Sequence, residues 1–282
     1  MPDGTKVQLL DGPMGTELAR RGVSTKLPMW SASALWQAPE VVSAIHRDYA
    51  DAGATVHTAN TFRTTARAMG ADWARWAREA VALARGAVPE GQRIAGSIAP
   101  LEDCYRPDLS PGGGPDVEAE HRGLADVLAD AGCDLLLCET FPRTDEALAA
   151  VRAARATGVE TWLALTAGYE ANLMAPEVMA EAARRAADLG VAAVLVDCTP
   201  SAVTQRWVDA LATAGIPFGA YANGGLANDE DGFTAAPDAP ETYAAQALGW
   251  VAAGATIVGG CCGTTPAHLR AVRARISKSP AP

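Results

Sequence analysis

Two adjacent thiols stand in the segment Ala255-Thr256-Ile257-Val258-Gly259-Gly260-Cys261-Cys262-Gly263-Thr264-Thr265-Pro266. Neighbouring cysteines seldom bond to each other, because the ring so formed is strained. Two thiolates in one bend can, however, reach the same metal ion. They lack the C-x-x-C spacing of a zinc ribbon, so a third ligand must come from elsewhere in the chain. The best-placed candidate is Cys198, at the end of the apolar run Val194-Leu195-Val196-Asp197-Cys198. Three thiolates at strand ends hold Zn²⁺ tetrahedrally with one position open, the arrangement of a catalytic rather than a structural site. The other reading open to the sequence is three buried cysteines acting as small hydrophobes.

The donor set selects the chemistry. A zinc ion bound by three thiolates carries a net negative charge, which makes it a poor Lewis acid for amide hydrolysis. It is well suited to binding a further thiol, lowering its pKa and holding it as a nucleophile. The pattern therefore points to alkylation of a thiol more than to metallohydrolysis. Hydrolase ligands are also scarce: there are four histidines, at 46, 57, 121 and 268, and no H-E-x-x-H. His46 and His121 fall in helical patterns, and His268 opens one. His57 lies in a strand and reads as a packed residue rather than a ligand.

Such residues need a scaffold that gathers them. Short apolar runs at 7–10, 54–59, 93–98, 134–138, 161–166, 192–197, 216–221 and 255–258 read as strands. Helical patterns at 39–53, 72–87, 116–131, 143–156, 175–189, 201–214, 240–253 and 267–276 alternate with them. Strict alternation predicts parallel pairing, and strands apolar on both faces are those of a buried parallel sheet. Eight such units in 282 residues match a single-domain (β/α)₈ barrel of the TIM type spanning 1–282. A doubly wound open sheet is the alternative, but no G-x-G-x-x-G follows the first strand. Residues 11–18 and 22–36 read as loop or irregular, and 100–115 as an irregular Gly/Pro-rich loop within the domain. Polar residues recur at the carboxyl ends of the strands: Asp11, Asn60, Ser97, Glu139, Asn223 and the three cysteines among them. In a barrel these ends converge on one face, where active sites lie.

Composition narrows the partners. A net charge of −10 argues against nucleic acid, which needs a basic face. Half the chain is hydrophobic (49%) and a fifth is charged (20%), the profile of a soluble globular enzyme. Six cysteines in a chain of this length form no disulfide framework, and Cys133 and Cys138, flanking one apolar run, read as core residues. No stretch has signal-peptide or membrane-spanning character, so a reducing cytoplasm is the expected compartment.

Taken in order, the motifs resemble the homocysteine S-methyltransferase family. The resemblance covers almost the whole chain. It rests on Leu10-Asp11-Gly12-Pro13-Met14-Gly15-Thr16-Glu17-Leu18, Ala59-Asn60-Thr61-Phe62, Glu139-Thr140-Phe141, the lone Cys198 and the double-cysteine segment. It implies Cys198, Cys261 and Cys262 as zinc ligands and catalytic centre, and Asp11 and Glu139 as partners of the homocysteine amino group. It also implies backbone amides around Gly12 for the substrate carboxylate, Asn223 as an amide oxygen near the zinc, and Trp30 against the methyl donor. Trp30 stands in Pro28-Met29-Trp30-Ser31, after the first strand. An onium donor cannot give strong N–H hydrogen bonds and is held by an aromatic face.

Three departures qualify the match. Asp197 precedes Cys198 where the family often has Asn. The loop after the third strand reads Ser97-Ile98-Ala99-Pro100-Leu101-Glu102-Asp103-Cys104-Tyr105 rather than a G-P-Y-G type. The chain also ends soon after the double cysteine, without folate or cobalamin domains, so a free sulfonium such as S-methylmethionine is the expected donor. The alternatives are the same zinc–thiolate chemistry on another thiol or selenol acceptor, and a non-catalytic zinc- or thiol-binding barrel.

Overall fold

Short strands that are apolar on both faces must be covered on both, by a barrel interior on one side and helices on the other. The computed structural model, which describes residues 7–225 and 238–278, shows this arrangement. Its strands are β1 (Gln8–Leu9), β2 (Val56–Thr58), β3 (Arg93–Ile98), β4 (Leu135–Phe141), β5 (Thr161–Thr166), β6 (Ala193–Pro200), β7 (Phe218–Asn223) and β8 (Ile257–Gly260). They pair in the order β1-β8-β7-β6-β5-β4-β3-β2, with parallel neighbours throughout. The remaining seam closes through the parallel bridge Leu10–Val56, with Thr55 N–H donating to Leu9 O at 2.8 Å and Asp11 N–H to Val56 O at 3.0 Å. The result is a (β/α)₈ barrel.

Alternation along each strand sorts the side chains into two layers. Leu135 and Leu137 of β4 point into the barrel, where they meet Leu10, Val56, Trp162, Ala164, Leu195 and Ile257. Leu136 and Cys138 point out, into the layer beneath the helices. Helices Pro39–Ala52, Trp73–Ala87, Pro115–Asp130, Thr144–Arg155, Pro176–Asp188, Gln205–Leu211, Pro240–Ala252 and Pro266–Lys278 form the outer ring. Five of them begin with proline in the first turn, where its missing N–H costs nothing. Their inner faces are built largely of alanine, which lets the helices lie close to the strands, as Ala147, Ala150 and Ala154 do.

The segments expected to be irregular contain short helices. Met14–Arg20 is α-helical. Its buried Glu17 accepts from Arg20 Nη2 at 2.7 Å and Arg21 Nη2 at 2.9 Å, the i,i+3 and i,i+4 pairs of a helix. Trp30–Ser33 and Ala34–Gln37 add two more turns. Residues 100–114, by contrast, have neither helix nor strand. This loop is tied down by the buried Glu146, which accepts from Leu101 N–H at 2.8 Å and from the Ser110 hydroxyl. Arg67 pins its flank by pairing with both Glu102 and Glu120.

Candidate active site at the carboxyl ends of the strands

Two register shifts shape the mouth of the barrel. β4 slips against β5 between Cys138 and Phe141, and β6 slips against β7 between Asp197 and Pro200. Each irregularity contains a non-glycine residue with positive φ: Thr140 at 61° and Cys198 at 45°. Bulges of this kind re-aim side chains, and the backbone strain they carry is characteristic of functional sites. Here they turn Glu139 and Cys198 into the barrel mouth.

Cys198 meets the double cysteine there. Its sulfur touches that of Cys261, with the Cα atoms 5.6 Å apart. The Cys261 and Cys262 sulfurs are 4.0 Å apart, and the three ligand atoms all lie within 4.8 Å of one another. All three residues are buried. The bend that presents them is held by backbone bonds from Cys261 N–H to Ala222 O at 2.8 Å and from Gly224 N–H to Cys262 O at 2.9 Å. Thr264 closes it, donating from both N–H and hydroxyl to Cys261 O. Gly260 is needed because a Cβ there would overlap the Thr264 side chain.

Carboxylates surround the thiols. Glu139 accepts from the Ser97 hydroxyl at Oε1 and from the Tyr221 hydroxyl at Oε2, 3.0 Å away. Burial raises its pKa, and those two hydroxyls hold it down. Asp11, at the seam between β1 and β2, accepts from Thr58 N–H at 2.9 Å through Oδ2. Burial pushes its carboxyl well above the usual range, against the pull of the Thr58 amide, and the nearby Glu139 charge adds to the rise. Asp197 accepts from the Thr140 hydroxyl at 2.6 Å, and burial lifts it to about 8. The Cys262 thiol is pushed up to about 12, first by burial and then by Asp197 and Glu139.

These shifts share one sign: each group resists taking a negative charge. Two positive charges would reverse that, a metal ion among the thiols and an ammonium group between Asp11 and Glu139. Asn223, buried at the end of β7, has an Oδ1 with no hydrogen-bond partner. An orphaned buried oxygen is costly unless something electrophilic meets it, and a metal beside the double cysteine would do so. The residues present therefore fit a thiolate-bound metal.

The other expected residues lie around this centre. A Cβ at Gly12 would run into the Tyr49 ring, so the chain passes there only as glycine. Trp30, with φ of 45°, lies against Gly15 and meets the Phe62 ring edge-on, with centroids 5.6 Å apart. Its neighbour Ser31 exchanges hydrogen bonds with Asn60, at 2.7 and 2.9 Å. Sequence reasoning overlooked Tyr221 and an aromatic pair, and gave Thr140 no role beyond its place at a strand end. Tyr105 packs on the cluster that contains Cys198, Tyr221, Cys261 and Cys262, and stacks on Tyr169 with centroids 3.7 Å apart. The available signal was that both tyrosines follow strand ends, in the loops after β3 and β5.

Among the described residues, no helix is long and apolar enough to cross a membrane. The family model for homocysteine S-methyltransferase matches residues 8–276. The chain is 31% identical to the homocysteine S-methyltransferase of Escherichia coli K12, with 97% of this chain and 96% of that protein covered. It is 26% identical to a selenocysteine methyltransferase of Astragalus bisulcatus, over 98% of this chain and 94% of the relative. The crystal structure of the E. coli homocysteine methyltransferase MmuM in its metallated form superposes with a TM-score of 0.81, at 28% identity and 97% coverage of both chains. A barrel with three thiols converging at its mouth, matched end to end in this way, belongs to the homocysteine S-methyltransferase family.

Proposed function

We propose that the chain moves a methyl group from a free sulfonium donor, with S-methylmethionine as the best candidate, to the thiol of homocysteine, giving methionine. The observation that carries this reading is the meeting of Cys198, Cys261 and Cys262 within 4.8 Å at the mouth. These three cysteines would hold Zn²⁺, and the ion when bound supplies a site where the acceptor sulfur is kept as a nucleophilic thiolate.

The chain's own groups supply orientation. Asp11 and Glu139 pair with the acceptor's ammonium group. Backbone amides around Gly12 receive its carboxylate, and Asn223 lends its free Oδ1 to the metal side. The acceptor is thereby held with its sulfur toward the thiols and its lone pair toward the donor. In the transfer, a sulfur–carbon bond forms to the acceptor as the donor's S–CH₃ bond breaks. The electron pair of that bond leaves on the donor sulfur as a neutral thioether, and the acceptor's thiol proton is released to solvent.

An onium donor needs an aromatic face, and two are at hand. Trp30 stands by the Gly12–Gly15 turn, and Tyr105 packs directly on the cysteine cluster. Trp30→Leu should raise the donor's KM several-fold, in keeping with about 0.5–2 kcal/mol of cation–π attraction, with zinc content unchanged. An unchanged donor KM would return Trp30 to a packing role. The similarity to a selenocysteine methyltransferase makes a selenol the second acceptor to assay. The deciding experiment incubates zinc-loaded protein with S-methylmethionine and either homocysteine or selenocysteine, and identifies products by mass. Methionine formation supports the proposal; no transfer to homocysteine from any onium donor refutes it.

A further inference from the structure

Behind Asp11, on the helix side of β2, lie two buried histidines that the transfer reaction does not use. His57 projects from β2 and His46 from helix Pro39–Ala52, and neither has measurable exposure (0% each). Their rings meet edge-on with centroids 6.4 Å apart. One ligand atom from each of Asp11, His46 and His57 lies within 4.8 Å of the others, and His57 Nδ1 is 3.9 Å from Asp11 Oδ2. His57 Nδ1 and both nitrogens of His46 have no hydrogen-bond partner. Buried, unpaired ring nitrogens aimed at a buried carboxyl group call for an explanation.

His57 Nε2 lies 2.6 Å from Gln92 Oε1, and the tautomer protonated at Nε2 satisfies this contact. In that tautomer Nδ1 presents a lone pair 3.9 Å from Asp11 Oδ2. Burial keeps both imidazoles neutral, lowering His46 to about 3 and His57 to about 4. Burial, with the Glu139 charge nearby, pushes the Asp11 carboxyl well above its usual range and so favours its neutral form. A neutral Asp11 pairs poorly with an ammonium group. A permanently charged one would be costly in a dry site shared with Glu139.

We infer that His57 is a positioning residue for Asp11: its Nδ1 takes the Asp11 proton when the acceptor's ammonium group arrives, and then holds the charged carboxylate in place. One O–H bond breaks on Asp11 and one N–H bond forms on His57. The pair stays neutral overall, and no proton has to leave the buried site. The 3.9 Å separation closes to a hydrogen bond in the substrate complex, as bonds of this kind do. Oδ2 is anchored by Thr58 N–H and His57, which leaves Oδ1 for the ammonium group. His46 gives the transient imidazolium a neighbouring lone pair in place of bulk water.

This inference rests on the homocysteine reading, and the test separates the two. Zinc-loaded protein is titrated calorimetrically with homocysteine and with 4-mercaptobutyrate, which is homocysteine without its amino group. The ring nitrogens of ¹⁵N-labelled histidine are followed by NMR in parallel. In the unmutated protein, His57 Nδ1 should become protonated with homocysteine but not with 4-mercaptobutyrate. His57→Leu should weaken homocysteine by about tenfold or more, the loss of one hydrogen bond to a charged group, and leave 4-mercaptobutyrate and zinc content unchanged. His57→Asn, whose side-chain amide can hydrogen-bond to Asp11 but cannot take up its proton, should recover little of the loss. An unchanged His57 ring in the homocysteine complex, or equal weakening of both ligands by His57→Leu, overturns the inference. Equal affinity of the unmutated protein for both ligands instead removes the ammonium role of Asp11, and with it the substrate reading.

Discussion

The lower and upper halves of the barrel obey different rules. Up to Cys138, β4 keeps strict register with β3 and β5, and its inward residues Leu135 and Leu137 are wholly buried among apolar neighbours. Beyond Cys138 the register breaks, φ turns positive at Thr140, and the inward residue is the carboxylate Glu139. β6 makes the same change, from Leu195 in the apolar layer to Cys198 at a φ of 45°. The stem stores stability, and the mouth gives some of it up in buried charge and strained backbone. That trade is what a site requires when its missing partners are cations.

If the two halves are so divided, mutations in them should fail in different ways. The largest effect is expected at the thiols. Cys198→Ala, Cys261→Ala and Cys262→Ala should each reduce methyl transfer below detection and weaken zinc binding, while thermal stability of the zinc-free protein stays near normal. Full zinc stoichiometry and turnover in any one variant would remove that residue from the ligand set. In the stem, Leu137→Ala should cost about 2–5 kcal/mol of stability by opening a cavity, with activity per folded molecule retained. Loss of activity without loss of stability there would erase the distinction between the halves.

Much of this division was legible in the sequence. Eightfold alternation of apolar runs and helical patterns is a long-range signal, and it predicted the barrel. Placing Asp11, Glu139, Cys198, Asn223 and the double cysteine at strand ends then followed from the fold. What remained hidden was local geometry. Nothing in Glu139-Thr140 or Cys198-Thr199 announces a positive φ, because glycine, the usual marker, is absent. Pro13 and Gly15 masked the helix Met14–Arg20, which ion pairs around Glu17 sustain. His57 is packed, as its place in a strand suggested, but only the closed seam between β1 and β2 brings it behind Asp11.

A smaller effect is expected at the carboxylates of the mouth. Glu139→Gln can keep the Tyr221 contact, and Asp11→Asn the Thr58 contact. Each should weaken homocysteine by about 1.5–3 kcal/mol, the range for a hydrogen bond to a charged group, with little change in zinc content. Selective loss of zinc would instead place these carboxylates on the metal side of the site.

The central claim is that the mouth holds a metal through three thiolates and leaves one position for the acceptor sulfur. X-ray absorption at the zinc edge, on zinc-loaded protein with and without homocysteine, tests it most directly. The expected result is three sulfur ligands at about 2.3 Å and one lighter ligand in the resting protein, with a fourth sulfur replacing the lighter one when homocysteine is added. A resting shell of nitrogen and oxygen, or a sulfur count that homocysteine leaves unchanged, would contradict it.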